Sequence, residues 1–241
     1  NNVIELKNNF INKIKLIFQL RNNQYKSIII HDNKKRSRFI SLFLKSTSKI
    51  FLKNSNQFSQ IKLIKIILKK LNFSFFEDSL NILNYKNEHK INNSNFIQLH
   101  FDEKWIYSSY ISKFVNIEPN EDELLLFIND IIKKTNKELI ITTGQILPKV
   151  LRNILPKFNK AKIKLYENLS FLELEDITLK SEILISCHGA ISHLAAAKKK
   201  KQIDIIDKSY NYRRWTEHFR NYNYLYRSTF KDLSKKIIEK L

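Results

Sequence analysis

The greatest chemical capacity in this chain lies in one run, Ser186-Cys187-His188-Gly189-Ala190-Ile191-Ser192-His193. A thiol, two imidazoles and two hydroxyls gather there around one of only 2 glycines in the protein. The run opens from apolar Ile183-Leu184-Ile185 and continues into Leu194-Ala195-Ala196-Ala197, so it reads as strand, tight turn and helix. Glycine at the turn lets another molecule approach the backbone, and the first helical turn offers unpaired N–H groups and a positive dipole end. That combination suits a phosphate or another anion. Strand–glycine–helix junctions that bind nothing are equally a normal part of α/β folds. Cys187 and His188 do not read as a nucleophile–base pair, because adjacent side chains rarely face each other and no third group orients the imidazole. A single cysteine and scattered histidines lack the ligand spacing of a zinc site, so no metal is expected.

Two further clusters carry chemistry. His100-Phe101-Asp102-Glu103-Lys104-Trp105 places an imidazole, two carboxylates, an ammonium and an indole at the end of one apolar run. Lys104 suits a phosphate as a point charge, and Trp105 reads either as a pocket wall or as a buried anchor. Tyr210 to Arg220 interleaves arginines with aromatics, a pattern that stacks on bases or covers a domain interface. No helix-turn-helix spacing, zinc finger or aromatic sheet motif accompanies it, so no nucleic-acid partner is expected. The basic run Lys198 to Lys201 reads as closing the preceding helix at its negative end.

Composition sets outer bounds. The 241 residues, 43% of them hydrophobic, suffice for a large core or for two domains. Lys and Arg outnumber Asp and Glu by 43 to 23, a formal charge of +20. Such a balance fits nucleic acid, an anionic membrane or phosphorylated substrates. Lysines are spread along the chain, however, and the abundance of Lys, Asn and Ile beside 2 Gly and 3 Pro matches AT-rich coding. No run reaches the roughly 18–20 apolar residues of a spanning helix, and no secretory pattern opens the chain. One cysteine rules out an internal disulfide framework. The expectation is a soluble cytoplasmic protein. With no methionine and an opening Asn1-Asn2-Val3, a further N-terminal piece is expected upstream.

The elements that must position these residues follow from periodicity. Residues 1–25 read as a helix, Ser27 to His31 as a buried strand, His31-Asp32-Asn33 as a turn and Lys34 to Lys45 as a helix. Ile50 to Leu52 reads as a strand, and Gln57 to Leu71 as a basic amphipathic helix. Residues 72–95 are Asn-rich and read as an irregular domain connection. Strands are expected at Phe96–His100, Leu139–Thr143, Ala161–Tyr166, the run before Cys187, and Ile203–Asp207. Helices are expected at Glu121–Lys134, Ile146–Leu155, Leu172–Lys180, after Gly189 and from Thr229. Alternation of strand and helix argues for parallel sheets flanked by helices, as two α/β domains over 1–95 and 96–241. Ligands in such sheets sit at the carboxyl ends of strands.

In this order the motifs resemble glycosyltransferase family 9, the heptosyltransferase-like enzymes. The carriers are Ser186-Cys187-His188-Gly189 with His193-Leu194-Ala195-Ala196-Ala197, Lys104-Trp105, Arg214-Trp215, and Thr142-Thr143-Gly144. The resemblance implies a GT-B-like α/β architecture: two Rossmann-like parallel-sheet domains facing a cleft, the first incomplete here. It implies an inverting, metal-independent transfer of a sugar from a nucleotide-sugar donor to a lipopolysaccharide or other cell-envelope glycan or glycolipid, with no cofactor beyond that donor. Peripheral contact with the anionic inner membrane goes with such an acceptor. The donor site would comprise Lys104, Gly144, Gln145, Cys187, His188, Gly189, Ala190, Ile191 and His193. Lys104 would contact phosphate, and Gly189, Ala190 and Ile191 would supply backbone N–H groups. Three departures stand beside the match. The family's Asp-Thr before the glycine is Cys187-His188, and the glycine-to-histidine spacing is one residue longer. The family's ribose-contacting Glu is matched at best by Gln145. The catalytic base would lie upstream of Asn1; Asp32 is no obvious substitute. Other readings are a non-catalytic module of this architecture that binds nucleotide or glycan, a nucleotide-sugar epimerase, and a basic nucleic-acid-binding protein.

Overall fold

The computed structural model describes residues 10–31, 34–52, 57–76, 95–108 and 110–241. The chain divides into two compact units, Asn1–Glu77 with Arg213–Glu217, and Asp78–Tyr212 with His218–Leu241. The expected turn at Asp32-Asn33 and most of the expected connection over 72–95 lie outside the described residues.

In the first unit the described order is α1 (Phe10–Arg21), β1 (Gln24–Ile30), α2 (Lys35–Leu42), β2 (Lys45–Phe51) and α3 (Gln60–Lys70). β1 and β2 pair in parallel, from Gln24↔Lys45 to Ile30↔Phe51. Ile50 and Leu52 pack with Leu63 of α3, whose first turn is capped by the Ser59 side chain. β2 starts well before its apolar end. Lys45-Ser46-Thr47-Ser48-Lys49 is exposed or half-buried, and its pairing with β1 supplies backbone hydrogen bonds without an apolar requirement.

The second unit contains β3 (Phe96–His100), α4 (Glu121–Thr135), β4 (Glu138–Thr142), α5 (Lys149–Ile154), β5 (Ile163–Tyr166), α6 (Phe171–Lys180), β6 (Ile183–Cys187) and α7 (Ala190–Ala197). After them come β7 (Lys201–Ile206), α8 (Arg213–Thr216, grouped with the first unit), β8 (Tyr222–Tyr226) and α9 (Phe230–Lys240). Six parallel strands are ordered β5-β4-β3-β6-β7-β8. Ranked by appearance in this unit, that is the 3-2-1-4-5-6 order of doubly wound nucleotide-binding sheets, with its reversal between β3 and β6. The strand at Tyr222–Tyr226 was not expected from sequence; its burial pattern is partly exposed throughout, as an edge strand allows.

The period-2 alternation of strands gives the sheet two different faces. Ile97, Leu99, Leu139, Ile141, Ile183, Ile185, Ile203 and Ile205 join one core with residues of α4, α5 and α9. The other face carries small apolar clusters with α6 and α7. It also buries Gln98, His100, Thr142, Ser186, Gln202 and Asp204. The polar face is the one that leads to α7. Two helix starts carry a full capping box: Asn120 and Ser170 each form a reciprocal box with a glutamate three residues on. No described helix is long and apolar enough to cross a membrane.

Trp105 anchors the connection from β3 to α4. It is fully buried, stacks on Phe101 at 5.1 Å between centroids, meets Phe230 edge-on at 6.4 Å, and its indole N–H donates to the His100 carbonyl at 2.8 Å. This settles the two readings of the indole in favour of an anchor. Trp105→Ala is expected to cost about 3–5 kcal/mol, visible as a lower urea midpoint; a change below about 1 kcal/mol would contradict that role.

Candidate functional site

The carboxyl ends of β3 and β6 lie side by side, with His100 opposite Ser186. Just beyond β3, the Asp102 carboxylate is 1% exposed. It accepts the backbone N–H of Lys104 at 3.1 Å and pairs with the Lys104 ammonium, while His100 Nε2 lies 3.5 Å away. Burial alone would raise the Asp102 carboxyl, but hydrogen bonding and charge from His100 and Lys104 outweigh it and hold it below its ordinary value. Burial likewise works against the Lys104 charge, and Asp102 overcomes it, so Lys104 stays an ammonium. His100 is oriented in turn by Nδ1 against Thr142 Oγ1 at 3.0 Å.

The Lys104 ammonium lies against Gly189, the residue that caps α7. A Cβ built on Gly189 would meet Lys104 Cε and Nζ, both at 3.1 Å. A cation is thereby held at the positive end of a helix, an arrangement that favours an anion between them. The Gly189 N–H donates to Ser192 Oγ at 3.2 Å. Among the described residues the N–H groups of Ala190 and Ile191 meet no acceptor, as expected in the first turn of a helix, and remain for a ligand. The Ile191 side chain is buried in the core with Leu184 and Ala195.

Behind the turn sits a carboxylate that sequence reading missed. Asp204, in the middle of β7, is 0% exposed and draws three side chains together. Its Oδ2 lies 2.6 Å from His188 Nδ1 and accepts from Tyr222 Oη at 2.9 Å; its Oδ1 accepts from Ser192 Oγ at 2.8 Å. With Nδ1 committed, Nε2 is the ring nitrogen of His188 left for a ligand. The imidazole packs edge-on against Tyr212 and His193. His193 is held toward its neutral form by burial and by His188 and His218, and packs on Phe219. The signal for Asp204 was present: a lone acid between Ile203 and Ile205 in a buried strand must have partners.

Cys187 is also buried. Burial pushes its thiol up, and its sulfur lies 3.8 Å from the Lys104 carbonyl and 3.6 Å from Arg227 Nη2. It is a packed thiol, not a thiolate nucleophile. Gly144 follows β4, and a Cβ there would lie 2.7 Å from Glu103 Oε2, so its side-chain-free position makes room for that carboxylate. Gln145 is exposed beside it. Lys104, Cys187, His188 and Gly189 therefore meet in one corner, with His193 behind; Gly144 borders Glu103 of the same loop. Arg227 was missed because it ends an edge strand, yet its guanidinium reaches the carbonyls of Lys104 and Val115. Among the described residues no three His, Cys, Asp or Glu side chains are grouped to hold a metal ion.

Beside the corner lies a cavity of about 250 Å³ lined by Lys104, His188 and residues of the β3–α4 connection, β7 and β8 ends.

Neither a protein-family model nor a curated protein matches the chain. Solved structures do. An E. coli heptosyltransferase WaaC structure with ADP is similar over 96% of this chain and 78% of its own, at TM-score 0.59 and 11% identity. A family 9 glycosyl transferase from Veillonella parvula DSM 2008 is similar over 97% and 72%, at TM-score 0.58 and 9% identity. WaaC with ADP-2-deoxy-2-fluoro heptose gives 96% and 77%, TM-score 0.54 and 13% identity. At these identities the likeness is one of fold, and it bears out the expected GT-B-like α/β class.

Gly189 has extended backbone angles, φ −178° and ψ −162°, so alanine fits the backbone and only the Lys104 ammonium is in its way. Gly189→Ala is expected to leave thermal stability within about 1 kcal/mol while weakening inorganic pyrophosphate binding about tenfold. Calorimetric titration beside a thermal melt measures both, and unaltered pyrophosphate affinity would refute the contact's role.

Proposed function

We propose that the chain is a glycosyltransferase whose nucleoside-diphosphate donor is held by the unit Asp78–Tyr212 with His218–Leu241. The observation that carries this reading is the Lys104 ammonium packed on Gly189 at the start of α7, where the strand order reverses. The diphosphate would lie across that point. Lys104 would neutralise one phosphate, and the Ala190 and Ile191 N–H groups would bind another. Two similar WaaC structures are with ADP and with ADP-2-deoxy-2-fluoro heptose, which supports a donor of this class.

The chemistry follows from that placement. Transfer breaks the bond between the sugar C1 and the terminal phosphate oxygen, and the electron pair goes to that oxygen. The acceptor hydroxyl oxygen forms the new bond at C1 and gives its proton to a base. Charge grows on the departing diphosphate, so fixed cations and N–H dipoles aimed at it lower the barrier. Lys104 is positioned in advance by Asp102, which limits reorganisation during the step. These groups neutralise the leaving diphosphate without requiring a metal. The proposal includes inversion at C1, with the base on the acceptor side as the family resemblance implies. A lipopolysaccharide or other cell-envelope glycan is the proposed acceptor, met at the cytoplasmic side of the inner membrane.

Lys104→Ala is expected to weaken nucleoside-diphosphate affinity by roughly 1–3 kcal/mol, measured by calorimetry against ADP, UDP, GDP and CDP. Unchanged affinity would remove Lys104 from the site, and no binding of any of the four by the wild type would refute the donor reading.

A further inference from the structure

We propose that the 250 Å³ cavity beside the phosphate corner seats the transferred sugar, and that this sugar carries an anionic substituent. The inference rests on the donor reading above. Pockets for drug-sized molecules span about 300–1,000 Å³, so this cavity suits a monosaccharide and not a whole nucleotide. It adjoins the corner directly, since Lys104 and His188 belong to both. Tyr110, Phe114, Tyr210 and Tyr212 line it, giving it aromatic surface of the kind that packs on sugar C–H groups.

The lining is what makes the sugar acidic. Lys104, Lys113, His188 and Arg227 contribute to it, and no Asp or Glu does. Asp102 and Asp204 stand behind this layer, each bonded to a basic side chain, while Asp207 is engaged by Ser209 and the Val115 N–H and lies close enough to Arg227 to feel its charge. Arg227 is 7% exposed. Its guanidinium donates to the Val115 carbonyl at 3.1 Å, to the Lys104 carbonyl and toward the Cys187 sulfur at 3.6 Å. Among the described residues neither Arg227 nor Lys113 has a carboxylate within ion-pair distance; Lys113 lies over the Phe114 ring at 5.5 Å. Asp207 reaches Arg227 only as a nearby charge, not as a bonded partner, and a guanidinium has five donors in a planar fork. A carboxylate or phosphate on the sugar would complete it.

The wall that carries Tyr110, Lys113 and Phe114 is tied to the rest of the unit. Between His100 and Glu121 the connection has more than the about 12–15 residues beyond which structureless loops are uncommon and usually functional, and 101–108 and 110–120 of it are described. It is pinned by buried Trp105, Ile111 and Ile117, and by Val115, whose N–H and carbonyl are held by Asp207 and Arg227. The clamp holds Arg227 at the cavity wall, and Lys113 of the same connection lines the cavity from an exposed position.

The test is titration of the full chain with α-D-glucose 1-phosphate, α-D-glucuronic acid 1-phosphate, α-D-glucose 1,6-bisphosphate and inorganic pyrophosphate. At least one of the two doubly anionic sugars should bind about ten times more tightly than glucose 1-phosphate, and which one distinguishes carboxylate from phosphate. In Arg227→Lys and Lys113→Gln the ratio of the two affinities, read within each variant, should fall toward one. Lys113 is exposed, so its variant guards against a folding defect at Arg227. Pyrophosphate binding with a wild-type ratio near one, or a ratio that survives both substitutions, would overturn the inference and leave the donor reading in place. Failure of all four probes to bind would overturn the donor reading and this inference with it.

Discussion

The parallel pairing of β3 with β6, from Ile97↔Ile183 to His100↔Ser186, is the constraint on which the corner depends. The sheet grows outward in opposite directions from this pair, so the chains leaving the two strands diverge and leave space between them. The register then decides what faces that space. Because successive side chains alternate between faces, a slip of one residue would send His100 and Ser186 to the apolar side and bring isoleucines to the polar one. Lys104 meets Gly189 only because both strands end level. The burial of Leu99 and Ile185 in a common core therefore fixes a contact between side chains more than eighty positions apart.

Charge in the second unit is layered in a related way. Asp102 and Asp204 are almost fully buried, and each turns a basic group outward: Lys104 in one case, His188 in the other. Buried ion pairs of this kind add little net stability, because desolvation offsets most of the attraction. What they supply is position. An ammonium held by a buried carboxylate and an imidazole held through Nδ1 have few rotamers left to lose when an anion arrives. The formal charge of +20 says nothing of this, since most lysines are spread over the surface and only a few enter the corner.

How much of this was legible in sequence follows from which forces leave local traces. β3, β4, β6 and β7 were readable because a strand buried on both faces must be a short apolar run. β8 was not, because Tyr222-Asn223-Tyr224-Leu225-Tyr226 is an edge strand whose half-exposed aromatics resemble a binding loop. The glycine turn and Lys104 were readable as an anion site by residue type. Their contact was not, nor were Asp204 and Arg227, whose partners lie on other strands. Asp204 bonds His188 and Tyr222 across sequence separations of 16 and 18, and Arg227 reaches Lys104 across 123. Such pairs are set by sheet order, which a single sequence does not display. The first nine residues and the stretch between the two units lie outside the described residues, so the expected start of the first helix and the irregular connection have no structural counterpart here.

The exchange at Cys187-His188 can be followed through the same geometry. Where the resembled family places Asp-Thr before its glycine, this chain has a thiol turned into the core and an imidazole. The carboxylate is not gone from the neighbourhood, since β7 brings Asp204 level with Ser186, one residue before the exchanged pair. Fully buried, Asp204 cannot touch a ligand; His188 extends its reach to the cavity. A carboxylate facing a diphosphate repels it, whereas an imidazole whose Nδ1 is held by a buried carboxylate places no acid at that position. In the proposed reading the corner thus loses a repulsion of the leaving group where the family pattern has an acid. The adjoining cavity gains a lining of cations without carboxylates, which is the electrostatic setting that an acidic sugar requires.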